Sequence, residues 1–141
     1  MKKFLSLVLL LALTVMFLPE AALSVRGPSW QTNLDGAEGG FLFGLRDKNG
    51  DMARNYTIVF VVKTPGGREY RVQKAVRAHH DEFVEVVFPT NFPGAPREAQ
   101  PGAYVCKYLV DGKSIYTEKF TYRERQGRGI IDNRRTSFGG K

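Results

Sequence analysis

Apolar and polar residues alternate along this chain in short runs, and beyond residue 24 no window sustains the 3.6-residue period of an amphipathic helix. Phe41, Phe43 and Leu45 alternate with Leu42, Gly44 and Arg46, which predicts a strand with one aromatic face. Asn49-Gly50, just after it, is a hairpin signal. A second strand is predicted over Tyr56–Lys63, with Tyr56, Ile58, Phe60 and Val62 on one side. Thr64-Pro65-Gly66-Gly67 then reads as a turn into a more polar strand, Glu69–Arg77, whose Arg71, Gln73 and Arg77 suit a sheet edge. Over Glu82–Phe88 the side holding Val84, Val86 and Phe88 opposes Phe83, Glu85 and Val87, and Pro89 ends the run. Thr90–Gly102 carries three prolines and two glycines and predicts a long irregular crossing. Ala103–Val110 sets Tyr104, Cys106, Tyr108 and Val110 against Lys107, and Asp111-Gly112 closes a tight hairpin into Lys113–Tyr122.

Six short strands at this spacing predict an all-β sandwich or small barrel over residues 40–122. Val25–Gly39, small and polar, reads as a linker that pins itself through Trp30. Residues 123–141 are Arg- and Gly-rich and too poor in apolar side chains to build a core, so a basic, flexible tail is expected there.

The first 24 residues have the layout of a secretory signal peptide. Lys2 and Lys3 precede an apolar run from Phe4 to Leu18, and Ala22 and Ser24 are small residues before a cut after Ser24. That run of 15 residues falls short of the roughly 20 needed to span a bilayer as a helix. The expectation is an exported chain, periplasmic, cell-surface or secreted, with no stable transmembrane span.

Processing would leave 117 residues with 19 basic and 13 acidic side chains, a net charge of +6. The last 19 residues hold six of the basic groups against two acidic ones, which suits an anionic partner. Export disfavours nucleic acid and leaves an acidic protein surface, an anionic glycan or lipid headgroups.

The run Pro101-Gly102-Ala103-Tyr104-Val105-Cys106, the hairpin Val110-Asp111-Gly112-Lys113 and the closing Phe120-Thr121-Tyr122 resemble the last two strands of immunoglobulin-like and fibronectin-type-III-like sandwiches. The resemblance spans residues 40–122 and concerns architecture alone. It implies a single sandwich of six to seven strands, with Tyr104 as the tyrosine that bonds back to the preceding loop. The partner cysteine and core tryptophan of antibody domains are missing, so a transthyretin-like or small-barrel arrangement stays open.

Motifs for catalysis are scarce. Ser29, Ser114 and Ser137 lack a nucleophile-elbow setting, and the histidines are the adjacent pair His79 and His80, which a strand would turn to opposite faces. Asp47, Asn49 and Asp51 alternate as in a calcium loop, but Gly50 is misplaced and Ile58 stands where the bidentate Glu belongs. No catalytic residue, metal site or cofactor is expected, and the lone Cys106 reads as a buried structural residue beside Tyr104. Candidate binding residues are Arg71 and Arg77 on a basic strand face, with Lys63 and Arg68 nearby, and Ile130, Ile131, Arg134 and Arg135 in the tail. The tail could dock by adding Gly129-Ile130-Ile131 to an exposed sheet edge. These features point to a non-enzymatic binding or assembly module whose partner is another envelope or surface protein. The alternative is an envelope protein that binds anionic glycan or lipid headgroups through the basic sheet face.

Overall fold

The computed structural model describes residues 28–49 and 54–139. The leader expected over residues 1–24 lies outside them, as do Gly50 and Asp51. Among the described residues no helix is long and apolar enough to cross a membrane.

The secondary structure is eight strands: β1 (Trp30–Ala37), β2 (Gly40–Asp47), β3 (Tyr56–Lys63), β4 (Glu69–Val76), β5 (Val84–Phe88), β6 (Gly102–Val110), β7 (Lys113–Arg125) and β8 (Arg128–Phe138). They form two antiparallel sheets, one ordered β1-β2-β5 and the other β4-β3-β6-β7-β8. The sheets face each other across one aromatic core, the architecture of a β-sandwich. Phe41 of the small sheet meets Tyr104, Phe120 and Tyr122 of the large one, and Phe43 meets Phe60 and Tyr108 edge-on. Every residue of the alternating set Phe41, Phe43, Leu45, Ile58, Phe60, Val62, Cys106 and Tyr108 is fully buried, so the period-2 pattern does set which side of each strand faces inward.

Three expectations are corrected. The supposed linker is largely strand: β1 pairs with β2 across a turn at Glu38-Gly39, where Gly39 takes φ 70°. Asn49-Gly50 closes no hairpin, because both neighbours of β2 are already strands of its own sheet and β3 belongs to the other sheet. The expected flexible tail is β8, paired with β7 from Tyr116 to Arg125. Its apolar content is too small for a separate core, but a strand laid on an existing sheet needs only one inward residue, and Ile131 packs on the common core.

Glycine allows β8 to close on the opposite sheet. A Cβ at Gly36 would overlap the Gly129 carbonyl, and one at Gly129 would overlap the Gly40 carbonyl. Glu38 bridges to Arg128 at the same place. One flank of the sandwich is thereby sealed, and the outer face of the five-stranded sheet is left open to solvent.

Candidate functional site

Directly paired residues of an antiparallel sheet point to the same side, so the register assigns the outer face. One row across it reads Glu69, Lys63, Val105, Lys119, Arg135, and the next reads Arg71, Val61, Lys107, Thr117, Ser137. Two rows thus hold five cations and one carboxylate. Strands lie about 4.8 Å apart, so Lys63 and Lys119, and likewise Arg71 and Lys107, are spaced at about 10 Å.

Lys63, Lys107 and Lys119 converge on a shallow groove of about 230 Å³, lined also by Val61, Glu69, Val105 and Thr117. Its floor is covered: Val61 is 2% and Thr117 1% exposed. Thr117 Oγ1 has no hydrogen-bond partner within the protein, although it is buried. Among the described residues none of the three lysines has an ion-pair partner, and Glu69 reaches only Arg71, at 3.9 Å and with both side chains substantially exposed. An exposed pair of that length neutralises little. The three lysines lie on neighbouring or next-neighbouring strands, within about 10 Å of one another and so about one Debye length apart at physiological salt, and their fields add over the groove.

The candidate residues named from sequence are divided by this geometry. Arg71 and Arg135 lie on the outer face. Arg77 follows the other end of β4, beside a separate cleft with Asn55, Tyr56 and Asp111, and does not join the groove. Ile131 points to the core while Ile130 pairs with Arg123 on the outer side. Lys107 and Lys119 were not among the sequence candidates, although Lys107 stands opposite the Tyr104–Cys106–Tyr108 face in the alternation. What the chain's linear order hides is that they sit beside Lys63.

Arg134 has an internal role. It donates from Nε to Glu118 Oε2 at 3.0 Å and from Nη2 to Glu118 Oε1 at 2.8 Å. Glu118 is fully buried, and its oxygens also accept from Thr32 at 2.7 Å and Thr136 at 3.0 Å. This side-chain bonding to Glu118 raises the Arg134 guanidinium above its ordinary range. The network joins β1, β7 and β8 at the sealed flank.

The remaining residues are structural or solvent-facing. Tyr104 donates its hydroxyl to the Gln100 carbonyl at 2.7 Å, and burial pushes its phenol up to about 12. Cys106 is fully buried, and desolvation, reinforced by Glu118, pushes its thiol well above the ordinary value, so the reactive thiolate is suppressed. His79, at φ 65°, is exposed in the turn after β4. Among the described residues no three His, Cys, Asp or Glu side chains gather in a metal-holding group.

Comparison with known proteins finds no matching family model, no matching curated protein and no matching solved structure.

Proposed function

We propose that this chain is an exported, non-enzymatic binding module of the cell envelope or surface, with an immunoglobulin-like or fibronectin-type-III-like fold, and that it holds an anionic glycan on the outer face of its five-stranded sheet. The fold reading is supported by the order β1-β2-β5 against β4-β3-β6-β7 and by the Tyr104 bond to Gln100. Here β8 is an added strand on the β7 side. Export rests on the Lys2, Lys3 and Phe4–Leu18 pattern.

The observation that carries the binding reading is the convergence of Lys63, Lys107 and Lys119 on one groove, flanked by Arg71 and Arg135. Two features favour a glycan over a protein on this face. Protein interfaces gain most of their energy from aromatic or large apolar anchors, and these two rows offer only Val61 and Val105 among small and cationic side chains. The β8 segment, expected from sequence to dock as a strand, is already paired with β7. An acidic polymer instead places its charges at regular intervals along cations spaced at about 10 Å.

The test is a calorimetric titration with polygalacturonate, neutral dextran and anionic phospholipid vesicles. Binding to polygalacturonate alone, weakened roughly tenfold or more between low and moderate salt and by Lys107→Gln with Lys119→Gln, is the expected result. Preference for the vesicles would move the source of the anionic groups to lipid headgroups. Absence of binding to either would overturn the reading. The assembly reading has one observation of its own, Phe138, which is 75% exposed near the end of β8; a salt-resistant protein partner lost on Phe138→Ser would favour it.

A further inference from the structure

A second concavity lies at the end of the sandwich, between the β3–β4 turn and the long crossing from β5 to β6. It is a half-open cleft of about 400 Å³ lined by Thr64, Arg68, Tyr70, Phe88, Gln100 and Tyr104, together with Gly66, Gly94 and Pro96. This volume falls in the range of small-ligand sites. Phe88 and Tyr104 are buried and form the floor, while Tyr70 is half-buried and leans on Phe88 with ring centroids 5.9 Å apart. One partly exposed aromatic ring, Tyr70, beside an arginine, a hydroxyl and a carboxamide makes this a different surface from the lysine groove.

The walls are held in place by the chain. The crossing is tied by Asn91 N–H to the Val87 carbonyl, Phe92 N–H to the Pro89 carbonyl and Ala99 N–H to the Gly39 carbonyl, at 2.9, 3.0 and 2.9 Å. The opposite turn is closed by Thr64 N–H to the Arg68 carbonyl at 2.9 Å, and Pro65 sits so close to Gly102 that a Cβ there would collide with it. The cleft therefore needs little ordering when a ligand enters, which lowers the cost of binding.

Its free groups define the ligand. Among the described residues the Arg68 guanidinium has no ion-pair partner, and the side chains of Thr64 and Gln100 make no hydrogen bond within the protein. A planar guanidinium favours a planar anion bound through two parallel hydrogen bonds. A hydroxyl and a carboxamide supply both donors and acceptors for hydroxyl groups, and an aromatic wall packs the C–H face of a ring. We infer that this cleft binds one carboxylated sugar ring, with the carboxylate on Arg68, the ring against Tyr70 and its hydroxyls on Thr64 and Gln100. The inference deepens the glycan reading by adding recognition of an individual acidic sugar to the attraction exerted by the lysine face.

The probe is D-glucuronate, with D-glucose and acetate as controls, followed by ¹⁵N-resolved NMR on the full mature chain. Glucuronate is expected to bind with a Kd on the order of 1 mM and to shift amides in the β3–β4 turn and around Gln100. Arg68→Gln and Tyr70→Leu should each weaken it about tenfold, while Arg77→Gln, beside a separate cleft, should leave it unchanged. Equal binding of acetate, insensitivity to Arg68→Gln, or no shifts in the cleft would overturn the inference. Titrating the same variants with polygalacturonate separates the two readings. A polymer still bound through the lysines while glucuronate shows no cleft response sinks the cleft alone, whereas loss of polymer binding in every chain sinks the face.

Discussion

At the residue scale, Glu118 has the most demanding position in the molecule. A carboxylate with no exposed surface is tolerable only when its acceptors are filled, and Arg134, Thr32 and Thr136 fill them. Arg134→Ala should destabilise the fold by roughly 2–4 kcal/mol, somewhat less than a wholly buried pair because the guanidinium side keeps 38% exposure. Replacing both partners with methionine should recover most of that loss, and urea unfolding followed through Trp30 fluorescence would measure both. Tyr104 offers a pH test. Its phenol is raised from 10 to about 12, so the folded state holds its proton more firmly than the unfolded chain. The associated stability is intact below pH 10 and is lost as pH rises toward 12. Tyr108 and Cys106 are raised as well, chiefly by burial, and add to the same decline. Tyr104→Phe should cost about 1 kcal/mol at neutral pH and make the alkaline decline shallower, as read from unfolding midpoints between pH 8 and 12.

At the element scale, β8 decides how much of the chain the domain needs. A chain ending at Arg125 would lose the pairing of β7 from Tyr116 onward, the packing of Ile131 and both Arg134 and Thr136 from Glu118. That truncation should abolish cooperative unfolding; a melting transition equal to that of the full chain would show β8 to be peripheral. This element was the least legible in the sequence, for a physical reason. Arg128–Phe138 carries few apolar residues because one of its sides faces solvent and its other side needs mainly Ile131, Gly129 and a charge partner for a distant glutamate. β1 is concealed in the same manner, since glycine and small residues at Gly36 and Ala37 serve close backbone approach and carry no side-chain signal. The strands whose alternation is strong, β2, β3 and β6, were readable because both their period and their aromatic content report burial. The Asn49-Gly50 hairpin failed because a turn signal is local, whereas the choice of sheet is settled by which strands already occupy the neighbouring positions.

At the scale of the whole molecule, the charge of +7 gives no indication of where cations gather. Lys63, Lys107 and Lys119 are 44 and 12 positions apart in sequence and become neighbours only through the pairing β3-β6-β7. Arg71 and Lys63 could be read as surface residues from their own strands, but their convergence with Lys107 and Lys119 could not, and Arg134 looked free because its acidic partner lies sixteen residues away on β7. The central claim is that the outer face of the five-stranded sheet is the ligand surface. Its most direct test is the map of ¹⁵N–¹H shift changes on adding polygalacturonate to residues 25–141 at low salt. The account predicts that the largest changes fall on Val61, Lys63, Val105, Lys107, Thr117 and Lys119, and that they vanish when the three lysines are changed to glutamine. Changes confined to the β8 edge around Phe138, or no changes at all with the fold intact, would contradict it.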